Sequence, residues 1–233
     1  MGVAGGGNTA RMSTATAEAA PETKSSTFFR TRLGSALAVL PLGVWTVIHL
    51  WNNLAAYRGA KAWQEAVTDY KHGTSQLVTG FLVLAPLLIH TIWGIGRMRQ
   101  TRMNVGKYSY FSNWKFLLQR LSALGVLGFL GAHIWLAMLH PRLVEGHPEP
   151  FNDIAKEMAH NPPTLIVYTL GTRGVAYHLA NGLHTFAMSW GIVSSRRALK
   201  QLEAFAYVVF VLLLAMAWGA IFALYQAGAP MAH

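Results

Sequence analysis

The chain has 233 residues, of which 53% are hydrophobic and only 12% charged, about half the charged share usual in soluble proteins. That balance excludes an ordinary soluble globular domain and points to the membrane. The absence of Cys excludes a structural disulfide and a Cys-ligated iron–sulfur cluster on this chain; the formal charge of +10 raises nucleic acid as a partner, a reading that the placement of the charges argues against.

Residues 1–27 (MGVAGGGNTARMSTATAEAAPETKSST) are rich in Gly, Ala, Ser and Thr. They lack the apolar stretch of a signal peptide and the Ser or Thr of a myristoylation pattern. They read as a disordered N-terminal tail, with Met12 as an alternative start. Residues 28–228 form the membrane domain and 229–233 a C-terminal tail. Five apolar segments follow one another at roughly 33–57, 75–96, 116–140, 163–193 and 204–226, each long enough to cross a bilayer as a helix. The predicted fold class is therefore all-α, an integral membrane bundle of five transmembrane helices. The segments hold just two formal charges, Arg120 and Arg173, and no acid. Pro86 predicts a kink in the second helix. The connection 141–162 is Pro-rich and polar, and FNDIAKEMAH within it reads as a short surface helix.

Lys and Arg flanking the spans set the orientation. Twelve of them lie before span 1, between spans 2 and 3 and between spans 4 and 5, against five on the opposite side. The twelve-residue side is read as cytoplasmic, which puts the N-terminus inside and the C-terminus outside. Six of the nine acids fall in the two outer connections. The basic face is thus a positive-inside signature and a docking face for a cytoplasmic partner, and nucleic acid is set aside.

Each of the first four spans carries a histidine: His49, His90, His133 and His178. A single buried histidine is usually structural, but one on each of four successive helices is a pattern. His49 lies 8 residues inside Tyr57, and His133 lies 8 inside Pro141, about 12 Å from the outer edge in both cases. His90 lies 15 residues from Ser75, and His178 lies 15 from Pro163, about 22 Å deep. The four sort into two coplanar pairs. Paired imidazoles at one depth suit an iron porphyrin with both axial positions filled, which favours electron transfer over oxygen chemistry. Zinc would need more ligands close together, a proton relay would need carboxylates, and no C-x-x-C-H exists for covalent attachment. Two haem b groups follow: an outer one on His49 and His133, an inner one on His90 and His178. Counted from the inner side, Arg196 lies 18 residues beyond His178 and Arg97 only 7 beyond His90, so the fourth helix is expected to protrude inward.

Gly171, Gly174 and Gly182 share the His178 face of a 3.6-residue helix. They form a flat strip that fits either close approach of a porphyrin or small-residue helix packing. Arg120 and Ser35 lie slightly cytoplasmic of the inner haem and are candidate propionate contacts; snorkelling competes as the role of Arg120. Arg173 and His184 point away from the His178 face and read as packing residues, with a propionate or quinone contact for Arg173 the less favoured role. Glu65, Asp69 and His72, in the outer connection, are candidates for proton exchange with a quinone, although solvated loop is the commoner role for such residues.

The stretches GKYSYFSNWKFLLQR (106–120), HLANGL (178–183), RLGSALAVLPLGVWTVIHL (32–50), LAPLLIHTIWGI (84–95), LQRLSALGVLGFLGAHIW (118–135) and SWGI (189–192) resemble the cytochrome b membrane anchor of bacterial succinate:quinone oxidoreductases, in its single-subunit, five-helix, two-haem form. The resemblance covers residues 28–226. It implies axial ligands at His49, His90, His133 and His178. It also implies a flavoprotein with FAD and the dicarboxylate site, and an iron–sulfur subunit, both on the cytoplasmic side. Electrons would pass between these partners and a quinone, menaquinone by the resemblance, in a bacterial cytoplasmic membrane whose lipid surrounds the chain. The direction, succinate oxidation or fumarate reduction, stays open. His184 departs from the family by standing where a large aromatic is expected. The alternatives are a two-haem quinone cytochrome serving another dehydrogenase, and a haem-free anchor or transporter, although no inverted repeat or broken span is evident.

Overall fold

The computed structural model describes residue 2 and residues 24–68, 79–100, 106 and 110–231. The elements in chain order are α1 (residues 24–58), a short α2 (Ala60–Trp63), α3 (Gly80–Gln100), α4 (Phe111–Glu145), α5 (Phe151–His160), α6 (Pro162–Ser189) and α7 (Arg196–Gly228). No strand occurs among the described residues. Most of the expected tail, residues 1–27, lies outside them; α1 begins at Lys24. The start of the second expected span also lies outside, as do Asp69 and His72.

Four helices among the described residues are long and apolar enough to cross a membrane: Thr31–Arg58, Gly80–Gln100, Phe111–Glu145 and Arg196–Gly228. The 28-residue α6 is long enough, but its Gly, Thr, Asn, His and Arg side chains dilute its apolarity. Large apolar side chains such as Leu40, Phe81, Leu88, Leu170 and Val211 lie exposed on the outside of the bundle, where water would penalise them and lipid would not.

The prolines inside these helices coincide with wider π-type turns. Pro41 lies within Ala38–Gly43, Pro86 follows Gly80–Leu84, and Pro141 opens Pro141–Glu145 directly after Trp135–Leu139 and His140. Proline has no N–H and crowds the carbonyl four residues back; widening the turn relieves both problems without ending the helix.

α6 packs antiparallel between α4 and α7. Small residues of α7, including Ala217 and Ala220, are buried, which lets backbones approach as in membrane bundles. The helix ends at Ser189, and Gly191, at φ 70°, turns the chain toward α7. α6 therefore stops 11 residues past His178, while the described part of α3 reaches 10 past His90. The inward protrusion expected of the fourth helix does not occur, because the glycine turn ends the helix before the basic flank. Near that inner end Arg32 donates to the Ser189 carbonyl (2.6 Å) and covers the Phe28 ring, and Lys115 of α4 pairs with Glu203 of α7.

A cap closes the outer end. The segment FNDIAKEMAH is helical as expected, but it is not simply a surface helix: Phe151, Ile154, Ala155 and Met158 are buried on one face. Ala155 lies so close to Gly228 that a side chain there would strike the Ala155 carbonyl. His160 Nε2 donates to the Gly228 carbonyl (3.1 Å), the Phe151 N–H donates to Gln64 Oε1 (2.5 Å), and Phe151 meets Trp63 edge-on (5.6 Å).

Glu149 enters this cap half-buried. Burial first, then the neighbouring Asp153 and Glu145 carboxylates, push its carboxyl up to about 7. The folded state thus holds a proton that the unfolded chain has lost, and stability falls as pH rises from the ordinary carboxyl range near 4.5 to about 7. Glu149→Gln is expected to protect residues 146–160 from hydrogen exchange better than wild type at pH 8, by on the order of 1 kcal/mol after allowing for solvent screening. The two proteins should be alike at pH 4. Equal protection at pH 8 would show that the carboxyl is freely solvated.

Candidate functional site

The four histidines meet in two pairs. The ring centres of His49 (α1) and His133 (α4) are 5.9 Å apart with planes at 68°; those of His90 (α3) and His178 (α6) are 6.2 Å apart at 70°. Two imidazoles sharing one metal need ring centres about 6 Å apart, from two metal–nitrogen bonds of about 2.0 Å and the ring radii. Both separations fit that requirement.

The local register explains how the rings come to face one another. On α4, Gln119, Ser122, Val126, Phe129 and His133 recur at steps of three and four, which places them on one face. On α6, Tyr168, Gly171, Val175, His178 and Gly182 do the same. The two stripes meet antiparallel. His133 Nδ1 lies 3.1 Å from the Tyr168 hydroxyl, and the Phe129 ring fills the place of a Gly171 side chain. A side chain on Gly174 would touch Val126, and one on Gly182 would touch Gln119. The glycine strip thus faces the side chains of α4.

Three of the four imidazoles have Nδ1 engaged. His90 Nδ1 lies 2.9 Å from the Gly34 carbonyl. A carbonyl only accepts, so Nδ1 carries the proton and Nε2 is left bare for a metal. His178 Nδ1 lies 3.2 Å from the Gln119 amide nitrogen and 3.3 Å from the Ser122 hydroxyl, which itself donates to the Gln119 carbonyl (2.9 Å). The Gln119 amide donates to the His178 carbonyl (3.1 Å) and accepts from Asn181 Nδ2 (2.8 Å). His133 Nδ1 faces the Tyr168 hydroxyl, with Phe129 stacked alongside at 5.6 Å. At His49 it is Nε2 that lies beside a polar group, Asn53 Nδ2 at 3.4 Å; Asn53 also donates to the His49 carbonyl (2.9 Å) and accepts from Trp63 Nε1 (3.2 Å).

Among the described residues, no group of three or more His, Cys, Asp or Glu could hold a metal. Each pair offers two nitrogens, which is the axial set of a metal whose remaining donors come from a macrocycle. Sequence reasoning paired the histidines but did not find the groups that orient them: Gly34, Asn53, Gln119, Ser122 and Tyr168. The signal for Gln119, Ser122 and Tyr168 was the three-four spacing itself.

Of the other expected residues, Ser35 lies beside Gly34, accepts from Trp190 Nε1 (3.2 Å) and donates to the Arg32 carbonyl (2.7 Å). Arg120 is half-buried with its guanidinium 4.2 Å from the centre of the Phe116 ring. Glu65 is exposed in the outer turn Gln64–Thr68. Asp69 and His72 fall outside the described residues. Arg173 is exposed on the far side of α6, and His184 is half-buried.

The fold and the histidine pairs define an all-helical membrane protein with paired imidazoles inside its bundle. Residues 96–221 match the family model described as succinate dehydrogenase/fumarate reductase transmembrane subunit. The chain is 31% identical over 201 residues to the succinate dehydrogenase cytochrome b558 subunit of Bacillus subtilis (strain 168), covering 84% of this chain and 96% of that one. No solved structure matches. The chain belongs to the succinate dehydrogenase/fumarate reductase transmembrane subunit family.

Gly34 tests the geometry around His90. A Cβ there would overlap the Trp93 ring. Gly→Ala in a helix ordinarily gains up to about 1 kcal/mol, but overpacking costs about 1–3 kcal/mol, so the clash wins. Gly34→Ala is expected to lower the melting temperature of the purified protein by several degrees. A raised melting temperature would mean that Trp93 does not lie against Gly34.

Proposed function

We propose that the chain is the di-haem cytochrome b subunit of a succinate:quinone oxidoreductase. Five helices, α1, α3, α4, α6 and α7, span a bacterial cytoplasmic membrane with the N-terminus inside. The subunit carries electrons between an iron–sulfur partner on the cytoplasmic face and a quinone in the bilayer, with menaquinone the favoured acceptor. The flavoprotein, its FAD, the iron–sulfur clusters and the dicarboxylate site belong to the partner subunits. The observation that carries this reading is the pair of imidazole–imidazole separations, 5.9 and 6.2 Å, across four different helices. The family membership and the name of the B. subtilis relative support it, and the excess of Lys and Arg on one side supports the orientation.

An iron porphyrin with two imidazole ligands supplies reversible one-electron transfer and leaves no open position for O₂. What the chain contributes is placement. His49 and His133 would hold the outer haem, and His90 and His178 the inner one. The Gly34 carbonyl fixes the tautomer of His90, and such an acceptor raises ligand basicity; the Ser122 and Tyr168 hydroxyls orient the rings of His178 and His133. Ser35 and Arg120 are the proposed propionate contacts at the inner end, and Gly171, Gly174 and Gly182 the proposed close-approach residues. Glu65, Asp69 and His72 are proposed to exchange protons with quinone at the outer end.

Haem per chain in single and double histidine variants tests this function. His49→Ala and His133→Ala should each lose one haem of two, and their combination no more than one. Joining His133→Ala to His178→Ala should remove both. Full haem content in all four single variants would contradict the ligand assignment.

A further inference from the structure

The face of α6 turned away from His178 is also polar. Arg173 lies on it, with Thr169 one turn before and Tyr177 one turn after. α7 forms one border of this face: Trp218 Nε1 donates to the Thr169 carbonyl (3.2 Å), and Phe210 meets Tyr177 edge-on (6.4 Å). The start of α4 forms the other, where the Tyr177 hydroxyl reaches the Lys115 carbonyl (3.4 Å). Between these contacts Arg173 is exposed, and no side chain or carbonyl among the described residues hydrogen-bonds or pairs with it.

Its depth makes this costly. Arg173 lies 11 residues past Pro162, about 16 Å along α6 and so near the middle of a hydrocarbon core about 30 Å thick. An arginine at that depth costs at least about 2.5–3.5 kcal/mol, and such residues are normally paired and functional. A water-soluble subunit does not reach the midplane. A second copy brings no carboxylate there, since the acids within the described apolar helices lie near their ends: Glu145 closes α4 at the outer side, and Glu203 is at the inner end and pairs with Lys115. Phospholipid phosphates lie in the two headgroup layers, beyond an arginine side chain at mid-depth. A haem held by His178 would lie on the opposite face of α6, away from Arg173. Guanidinium is a donor only, so the missing partner is an acceptor that resides in hydrocarbon.

We propose that this face of α6 seats the headgroup of a lipid-soluble quinone, with Arg173 donating to one carbonyl oxygen and the Phe210, Trp218 and Tyr177 rings bordering the quinone ring. The proposal rests on the reading that α6 spans the bilayer and that the complex exchanges electrons with quinone. It places a quinone against the back of the His178 helix, about one helix diameter (~10 Å) from that histidine, and separate from the outer Glu65 region.

The experiment is photolabelling of the haem-loaded complex, with its partner subunits, in nanodiscs, using an azidoquinone with a short isoprenoid tail and peptide mapping by mass spectrometry. The label is expected on peptides around Thr169–Tyr177 and Phe210–Trp218. It should fall about tenfold in Arg173→Gln and recover in part in Arg173→Lys, with haem per chain unchanged. Label found only elsewhere, or unaltered by Arg173→Gln, overturns the proposal. So does a phospholipid that native mass spectrometry finds on wild type and not on Arg173→Gln while the label stays constant. If Arg173→Gln does not assemble, competition on wild type decides. The unlabelled quinone should displace the label and its 1,4-dimethyl ether should not; equal displacement excludes a carbonyl–Arg173 bond. A wild-type complex without haem would defeat the di-haem reading while leaving the labelling result legible.

Discussion

The polar interior of this bundle depends on the antiparallel contact between α4 and α6. One three-four stripe on α4 carries Gln119, Ser122 and His133, and one on α6 carries Tyr168 and His178. Because the stripes run in opposite directions, the His133 end of α4 meets the Tyr168 end of α6, and the Ser122 end meets His178. One interface thereby places two histidines at two depths and gives each its hydrogen-bond partner. Gly171 makes the close approach possible, since the Phe129 ring occupies the space its side chain would take. α1 and α3 then need only present His49 and His90 opposite.

Half-buried histidines inside an apolar bundle need a reason. An unpaired polar group in such surroundings costs roughly 2–7 kcal/mol, and there are four rings. The Nδ1 of His90 and His133 faces an oxygen of a neighbouring helix, and that of His178 faces both the Gln119 amide and the Ser122 hydroxyl of α4. That arrangement directs the bare nitrogen away from its own hydrogen-bond partner. The contrast among the partners is chemical as well as positional: a backbone carbonyl for His90, a serine hydroxyl for His178, a phenol for His133 and a carboxamide beside His49. Groups that differ this much in basicity make the two pairs electronically unequal.

Much of this was legible in the sequence. Run length and hydropathy gave the all-helical class and the four helices long and apolar enough to cross a membrane, and counting residues from the outer ends grouped the histidines whose rings lie 5.9 and 6.2 Å apart, because rise per residue is constant while side-chain direction is not needed for depth. Three features were less accessible. The end of α6 at Ser189 depends on one glycine turn, which a count of residues to the next basic flank overlooks. The burial of Phe151 and Met158 depends on Gly228, 70 residues or more away, presenting a bare backbone to Ala155. The Gly34–His90 bond uses a main-chain carbonyl, which no side-chain pattern announces. Tyr168 and Ser122 could have been found by extending the stripe from His133 and His178.

The measurement that bears most directly on the central claim is the dithionite-reduced minus oxidised spectrum of the purified complex, with haem quantified per chain. Two low-spin b haems per chain are expected, because each imidazole pair offers the two nitrogens that one haem iron would take. No haem in a fully assembled complex would contradict the account and leave the four histidines as packing groups of a structural anchor.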